Sequence, residues 1–355
     1  MKKKLLLHNK KDRKIIYSIK KLVNKKFTRK KEKSIYQKLF HKLFIIFFVL
    51  LGIRYIISLF RKLHQVNKRK NITKNLKNNN STKVCLCAIA KRENLYIYYF
   101  IQHYKDLGYD HIYIYDNNDI NDEKVEDVLK TFIMDGYVTI IDYRGFRGPR
   151  QSPQMEAYYD CYEKHNKEYD WLSFFDIDEY LILKPNGIKI QPFIESERYK
   201  LCPIVKINWI DYSDNNQIYY ENKSLLERFP NASRHKGENL NIKSIMRGGF
   251  PYYNLSKTYN PHYLYYGVKS CSSSGKFIRG TYLNIPPDYG FATLNHYFTK
   301  TITEYVNKVK KGLATTKIYL GKRILKHFFN LFFALNNKTE EKVKIFNNAF
   351  NTSFE

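Results

Sequence analysis

The 355 residues are 43% apolar and 16% aromatic, which is enough for a core in one large domain or two smaller ones and excludes a wholly disordered chain. The formal net charge of +29 suggests nucleic-acid binding, but residues 1–83 carry 26 lysines and arginines against two acids, whereas residues 84–355 carry 36 against 31. The positive charge therefore belongs to an N-terminal segment, and no nucleic-acid partner is expected.

The N-terminal segment divides into a basic arm (residues 1–42), an apolar stretch (43–60) and a lysine- and asparagine-rich linker (61–83). Eighteen apolar-rich residues are just enough to span a bilayer as a helix, although the central Arg54 costs about 2.5–3.5 kcal/mol on insertion. We favour a single-pass membrane anchor. The alternative is a helix in the membrane interface, held by anionic lipids through its basic flanks. A membrane location is expected, and the side on which the remaining chain lies stays open.

From residue 84 onward, the sequence alternates between strand and helix patterns. Aromatic and β-branched runs predict strands at 84–88, 111–115, 137–141 and 171–175. Apolar residues spaced three and four apart predict helices at 94–107, 122–132 and 153–163. Repeated βα units predict an α/β fold with a mostly parallel, doubly wound sheet, helices on both faces and ligands at the carboxyl ends of the strands.

Polar residues follow each of the four predicted strands. They are Lys91 and Glu93 after the first, Asp116 after the second, residues 144–150 including Arg147 after the third, and Asp176 with Asp178 after the fourth. Because the carboxyl ends of parallel strands meet at one edge of a sheet, we expect these residues to line a single crevice.

The fourth strand delivers two acids spaced by one residue, Asp176 and Asp178. If the chain leaves the sheet after Asp176, both carboxylates can converge on one divalent cation, because oxygen ligands suit Mg²⁺ or Mn²⁺. A metal that bridges a diphosphate needs one or two protein carboxylates, as in a nucleotide-sugar transferase. The alternative is that the acids cap the next element or lie on a solvated turn.

The last part of the chain is predicted to be helical. Residues 300–349 have an amphipathic pattern that is broken at Gly312 and near 336–338. Their phenylalanines are expected to pack on the preceding domain rather than to touch a membrane. We therefore predict a catalytic domain at 84–312 and a helical tail at 313–355. The five cysteines show no zinc-binding spacing and do not determine the compartment.

With these residues in hand, the chain resembles the family 2-like and family 92-like glycosyltransferases of the GT-A fold over about residues 83–312. The order and spacing of several short segments carry the resemblance. They are residues 90–94, 114–117, 160–162, 171–180, 207–209, 227–229, 243–245, 261–262 and 295–297. The resemblance implies the GT-A fold and a nucleotide-sugar donor, with a UDP-sugar favoured, bound together with Mn²⁺ or Mg²⁺.

The same resemblance implies roles for individual residues. Lys91, Glu93 and Asp116 would hold the nucleoside, although Asp116 beside two asparagines is equally typical of an Asx turn. Asp176 and Asp178 would hold the metal. His296 would complete the metal shell, with His262 competing for that place.

Two basic residues are candidates for the diphosphate. Arg147 follows a glycine-containing turn, and a guanidinium matches phosphate geometry in a bidentate manner. Lys243 belongs to a second basic pair with Arg247. Solvated surface positions are the alternative for both residues.

Transfer with inversion, which we favour, needs a carboxylate to take the proton of the acceptor hydroxyl. Glu227 is the first candidate, with Asp211 and Asp214 behind it. The neighbouring Arg228 would keep Glu227 ionised, which suits a base but equally suits a plain salt bridge. The resemblance is weakest near this point, since residues 211–213 stand where relatives more often have a glycine-containing loop.

The predicted function is therefore metal-dependent transfer of a sugar to a glycan, glycolipid or glycoprotein acceptor. The alternative is a membrane-tethered, non-catalytic protein of the same fold that binds a nucleotide or sugar. A phosphatase with an aspartate nucleophile is disfavoured, because such enzymes place their paired aspartates on the first strand.

Overall fold

The computed structural model describes residues 81–146, 152–233, 240–249, 260–262, 269–278, 286–311 and 321–355. The predicted basic arm, membrane helix and most of the linker lie outside these residues, as does Arg147. Within the described residues, no helix is both long and apolar enough to cross a membrane.

The described chain contains ten strands. They are β1 (Val84–Ala90), β2 (His111–Asp116), β3 (Val138–Asp142), β4 (Trp171–Phe174), β5 (Glu179–Leu183), β6 (Ile204–Asp211), β7 (Ile242–Arg247), β8 (Ser270–Cys271), β9 (Phe277–Ile278) and β10 (Ala292–His296).

Eight α-helices are described. They are α1 (Asn94–Asp106), α2 (Glu126–Met134), α3 (Pro153–His165), α4 (Ile190–Ile194), α5 (Leu225–Arg228), α6 (Ile302–Lys311), α7 (Lys322–Leu335) and α8 (Glu340–Phe350).

The strands form one mixed α/β sheet in the order β3-β2-β1-β4-β7-β6-β10-β5, with β8 paired to β6 and β9 paired to β8. Strands β3, β2, β1 and β4 are parallel, whereas β7 runs antiparallel between β4 and β6. The register pairs Ala90 with Asp116 and Asp116 with Asp142, so the ends of β1, β2 and β3 lie in one row. The prediction that the strand ends share an edge is confirmed for these three strands.

Helices cover both faces of the parallel half of the sheet, as predicted. On one face, Val84 and Leu86 of β1 belong to a core with residues of α1 and α2. On the other, Cys85 and Cys87 pack with α3. Because both faces of β1 are buried, its sequence is a continuous apolar run instead of an alternating one.

Helix α2 begins later than the sequence predicted, at Glu126 instead of residue 122. The preceding acids are used in other contacts, since Asp122 pairs with Arg92, and Asp116 Oδ2 accepts a hydrogen bond from Val125 N at 3.3 Å. These contacts hold residues 117–125 in a turn, and the helix can start only after it.

The C-terminal helices pack as predicted. Phe328, Phe329 and Phe332 of α7 are buried in a third core that α6 and α8 share. Asp214, in the loop after β6, forms a buried ion pair of 2.6 Å with Lys342 of α8. Helices α6, α7 and α8 therefore share one core across the predicted boundary at residue 312.

One disulfide joins Cys202, just before β6, to Cys271 of β8, across a sequence separation of 69 residues. The other three cysteines, Cys85, Cys87 and Cys161, are free and buried. The sequence did not indicate this pairing, because the two partners come together only when β8 pairs with β6.

We expect the denatured, unreduced protein to contain three titratable thiols, and replacement of both Cys202 and Cys271 by alanine to lower the free energy of unfolding by about 4 kcal/mol. The physical reason is that the cross-link restricts the unfolded chain. Thiol titration and urea denaturation provide the measurements, with Cys161→Ala as the control that removes a thiol but no cross-link. Five titratable thiols in the protein purified without reductant would contradict the pairing.

Candidate active site

The register of strands β5, β6 and β10 brings three predicted site residues together. In β10, His296 lies opposite Glu179 of β5 and beside Asp211 of β6. Asp178 immediately precedes β5, and its carbonyl accepts a hydrogen bond of 2.9 Å from Tyr297 N. The strand pairing thus places Asp178, Asp211 and His296 side by side, although they are far apart in the sequence.

His296 is held between two carboxylates. Its Nδ1 donates to Asp211 Oδ1 over 2.8 Å, and its Nε2 lies 4.0 Å from Asp178 Oδ1. Trp209 stacks on the imidazole with ring centroids 3.9 Å apart, which fixes the plane of the ring. In the neutral imidazole, the hydrogen bond to Asp211 keeps the proton on Nδ1 and directs the Nε2 lone pair towards Asp178, the usual arrangement of a metal-binding histidine.

Asp178 and His296 fit a divalent cation. Two bonds of about 2.1 Å, the length typical of Mg²⁺, can reach from one cation to both Asp178 Oδ1 and His296 Nε2 across their 4.0 Å separation. Among the described residues, no group of three or more His, Cys, Asp or Glu side chains is arranged to hold a metal. The protein would therefore supply two ligands, and a diphosphate and water would supply the others.

The second oxygen of Asp178 is bound by two lysines. Lys308 Nζ of α6 lies 2.7 Å from Asp178 Oδ2, and Lys300 Nζ lies 3.5 Å from the same oxygen. Burial alone would raise the pKa of Asp178, but the two ammonium groups and His296 outweigh it and hold this pKa well below its usual range. Asp178 is therefore a carboxylate anion at neutral pH.

Asp176 is close to Asp178 but is occupied by protein donors. Its Oδ2 lies 2.8 Å from the ammonium group of Lys243, and its Oδ1 accepts hydrogen bonds from Gln154 and Tyr158 of α3. Burial opposes ionisation, yet Lys243 keeps the pKa of Asp176 below its ordinary value. Coordination of a metal by Asp176 would require these contacts to rearrange, and that role stays a prediction.

Lys243 lies inside the protein, where it also approaches Glu179 Oε1 at 3.4 Å. Its side chain is fully buried. The structure therefore gives Lys243 the position of a counter-ion for the acids that follow β4. The alternative of a solvated surface position for Lys243 is therefore wrong, and its role in binding the donor stays a prediction.

His262 contacts Trp209 edge-on, with ring centroids 4.9 Å apart. Its Nδ1 donates to the carbonyl of Ile242 over 3.0 Å. Burial first, and then Lys243, lower the pKa of His262 to about 4, so its imidazole is neutral at physiological pH.

The residues predicted to hold the nucleoside lie at the ends of β1 and β2. Asp116 Oδ1 accepts hydrogen bonds from Asn118 N at 3.0 Å and Asn118 Nδ2 at 2.8 Å, which is the Asx turn that the sequence left as the alternative. Lys91 Nζ pairs with Asp119 at 3.3 Å. Glu93 lies at the start of α1. Burial lowers the pKa of Lys308, and the negative charge of Glu93 opposes this shift.

The three acids nominated as the catalytic base all have structural partners. Glu227 is exposed and closes a capping box with Ser224 at the start of α5. Arg228 pairs with Glu304 instead of Glu227, which corrects the reason for choosing Glu227. Asp214 is bound to Lys342, and Asp211 orients His296. The assignment of the base to any of these acids gains no support.

Sequence reasoning missed Lys300, Lys308, Gln154 and Tyr158. A signal existed for Lys308, because Thr301, Glu304 and Lys308 recur at helical spacing on a stripe beside the apolar residues of α6, and Thr301 and Glu304 of this stripe are buried. Polar residues on a buried helical face need partners, and such a pattern points towards a site.

Comparisons with known proteins identify the family of the chain. Residues 80–277 match the family described as glycosyltransferase family 92. A glycosyltransferase family 92 protein of Oryza sativa subsp. japonica is 26% identical over 98 residues, which cover 28% of this chain and 16% of the rice protein. The match thus spans about a sixth of that relative's length.

Solved structures give only distant similarity. S. aureus TarS 1–349 in complex with UDP-GlcNAc has a TM-score of 0.34 at 10% identity, covering 76% of this chain and 81% of TarS 1–349. A mannosyltransferase of Pyrobaculum calidifontis in complex with GDP-Man and Mn²⁺ has a TM-score of 0.31 at 9% identity, covering 80% of this chain and 75% of the other. Such TM-scores establish no common fold.

Proposed function

The chain belongs to glycosyltransferase family 92, and on this premise we propose that it transfers a sugar from a nucleotide-sugar donor to a hydroxyl group of an acceptor. The observation that carries the proposal is the arrangement of Asp178, His296 and Asp211. A histidine oriented by one carboxylate faces a second, ionised carboxylate at 4.0 Å, which suits a divalent cation. The mixed α/β sheet supports the finer proposal of a GT-A fold.

We propose Mn²⁺ or Mg²⁺ as the cation and a UDP-sugar as the donor. Asp178 and His296 would hold the cation, and Asp211 would keep His296 in the productive tautomer. When bound, the cation neutralises the charge that builds on the departing diphosphate and orients it. Lys243 keeps Asp176 ionised beside this site, so the charge pair of Lys243 and Asp176 contributes to the electrostatic potential at the cation.

The acceptor is proposed to be a glycan, glycolipid or glycoprotein that is presented near a membrane through residues 43–60. The disulfide between Cys202 and Cys271 is relevant to the question of which side of the membrane the catalytic domain occupies. Disulfides persist in oxidising compartments, so we propose that the catalytic domain faces such a compartment. The basic arm at residues 1–42 would then remain on the cytoplasmic side.

Turnover of nucleotide sugars by the full chain tests the proposal. We expect the detergent-solubilised protein to release UDP from one member of a UDP-sugar panel in the presence of Mn²⁺. No acceptor is needed for this assay, because water can take the place of the acceptor hydroxyl and slowly hydrolyse the donor. Chelation should abolish this release, and added Mn²⁺ should restore it. A GDP-sugar panel is the matched control for the donor base. Binding of UDP without turnover, even with mixed glycan and lipid acceptors, would favour the non-catalytic alternative.

A further inference from the structure

A buried lysine, Lys300, and a partly buried one, Lys308, share a single carboxylate oxygen at the candidate metal site. Lys308 Nζ lies 2.7 Å and Lys300 Nζ 3.5 Å from Asp178 Oδ2. Lys308 also donates to the carbonyl of Phe298 over 3.1 Å, and Lys300 lies 4.4 Å from the ring centroid of Tyr96. These contacts fix the direction of both ammonium groups. Both therefore converge on Asp178.

The backbone at Lys300 indicates that its side chain matters. Lys300 has a φ of 51°, a left-handed conformation that costs a residue with a Cβ atom about 1–2 kcal/mol and that glycine or asparagine adopts more readily. Lys300 is also buried, which adds the cost of removing an ammonium group from water. A turn alone needs no lysine. The side chain is therefore expected to have a partner that offsets these costs.

Asp178 is the counter-ion in direct contact with this lysine pair, while Glu93 acts on Lys308 and Glu304 acts on Lys300 from a greater distance. Within the described part of the chain, Asp178 is the one carboxylate within 4.0 Å of either ammonium group. A buried cation that exceeds its counter-charge is costly, because neither water nor an anion compensates it fully. An entering anion would remove this cost. The arrangement is thus better suited to a site that receives an anion than to a salt bridge that only stabilises the fold.

Resting on the proposed function, we propose that Lys300 and Lys308 bind the diphosphate of the donor and that, without it, they oppose binding of the divalent cation. In the nucleotide-free protein, a cation approaching Asp178 Oδ1 meets two ammonium groups on the other oxygen of the same carboxylate. Phosphate oxygens accept hydrogen bonds from these ammonium groups and release Asp178 for the cation. Metal and nucleotide therefore bind cooperatively, and each raises the affinity of the other by the same factor.

Removal of one lysine separates this role from a structural one. We expect Lys308→Met in the full chain to strengthen binding of Mn²⁺ alone about tenfold, because a repelling charge is gone, and to weaken binding of UDP with Mn²⁺ about 10- to 100-fold. Electron paramagnetic resonance of free Mn²⁺ and calorimetric titration of UDP measure the two affinities. Lys310→Met is the matched control, because Lys310 is exposed on the same helix.

A second variant, Lys300→Asn, distinguishes weaker UDP binding from loss of folding. Asparagine tolerates the left-handed conformation, so Lys300→Asn should keep or raise the melting temperature while it weakens UDP binding about tenfold. If wild type binds UDP with Mn²⁺ and both variants bind it equally well, the lysine proposal is wrong and the transferase proposal stands. If both affinities of Lys308→Met fall together, the lysine acts only on the fold. If wild type binds neither UDP nor GDP, the proposed function itself fails.

Discussion

Replacement of Asp178 by asparagine is expected to lower kcat/KM for sugar transfer at least about 1,000-fold, which corresponds to about 4 kcal/mol of lost transition-state stabilisation. The amide removes the ionised ligand that faces His296 at 4.0 Å, and it leaves Lys300 and Lys308 without their shared carboxylate. Calorimetric titration of UDP with and without Mn²⁺ should show that the metal no longer strengthens nucleotide binding. A coupled assay of UDP release measures the change in rate.

Folding must be separated from ligand binding in this variant. Asp135→Asn serves as the matched control, because Asp135 is an exposed aspartate whose ion pair within the described residues is a 3.8 Å contact with the exposed Lys105. The double variant Asp178→Asn with Lys308→Met removes one of the two uncompensated charges and should regain part of the melting temperature without regaining metal dependence. Unchanged Mn²⁺-dependent turnover in a folded Asp178→Asn protein would place the metal elsewhere.

Replacement of Glu304 by glutamine is expected to destabilise the folded domain by about 3–5 kcal/mol, the usual cost of removing one partner of a buried ion pair. Arg228 is fully buried and donates from both terminal nitrogens to the carboxylate of Glu304, with an Nη1–Oε1 distance of 2.9 Å. Thr301 and Tyr96 also donate to this carboxylate. The variant leaves a buried guanidinium without its counter-charge. Urea denaturation measures the loss.

A double replacement supplies the control for this pair. Arg228→Met combined with Glu304→Leu removes both charges and should lie within about 2 kcal/mol of wild type, so that the double-mutant cycle reports a strong coupling. Additive effects of the two single variants would show that the pair contributes little to stability. The exposed pair of Lys223 and Glu221, 3.0 Å apart, should give almost no coupling in a parallel cycle.

The same pair predicts a pH dependence. Burial would raise the pKa of Glu304, but Arg228 and Thr301 outweigh burial and hold it below its ordinary value. A carboxyl with a lowered folded-state pKa stabilises the fold above its unfolded-state pKa, and this contribution is lost as the pH falls through the lowered pKa. Stability of the wild-type domain should therefore decline in acid, and Glu304→Gln should flatten that part of the profile.

The sequence predicted the parallel half of the sheet well because its signals are local. Continuous apolar runs marked β1, β2 and β4, and helical spacing marked the helices between them. The row formed by Ala90, Asp116 and Asp142 follows from parallel pairing alone. Asp178 was predicted as a ligand for the same reason, since it comes four residues after the buried strand β4.

The other half of the site depends on contacts that no local pattern encodes. Asp211 reaches His296 only because β10 pairs in parallel with β6, and the sequence gives no register for that pair. Its role as the partner of His296 was therefore missed, and it was nominated as a base. Glu227 was chosen for a neighbouring arginine whose side chain in fact turns towards α6. Both errors arose because the sequence shows which residue types are present but not the direction in which their side chains point.

The family match ends at residue 277, but strand β10 begins at Ala292 and lies between β6 and β5. A fragment that stops where the match stops would lose an interior strand, and with it the hydrogen-bonding partners of both neighbours. Two open strand edges would then face solvent, a common cause of edge-to-edge aggregation. A recombinant protein trimmed to the recognisable family segment should therefore be insoluble, and its lack of activity would reveal nothing about the enzyme.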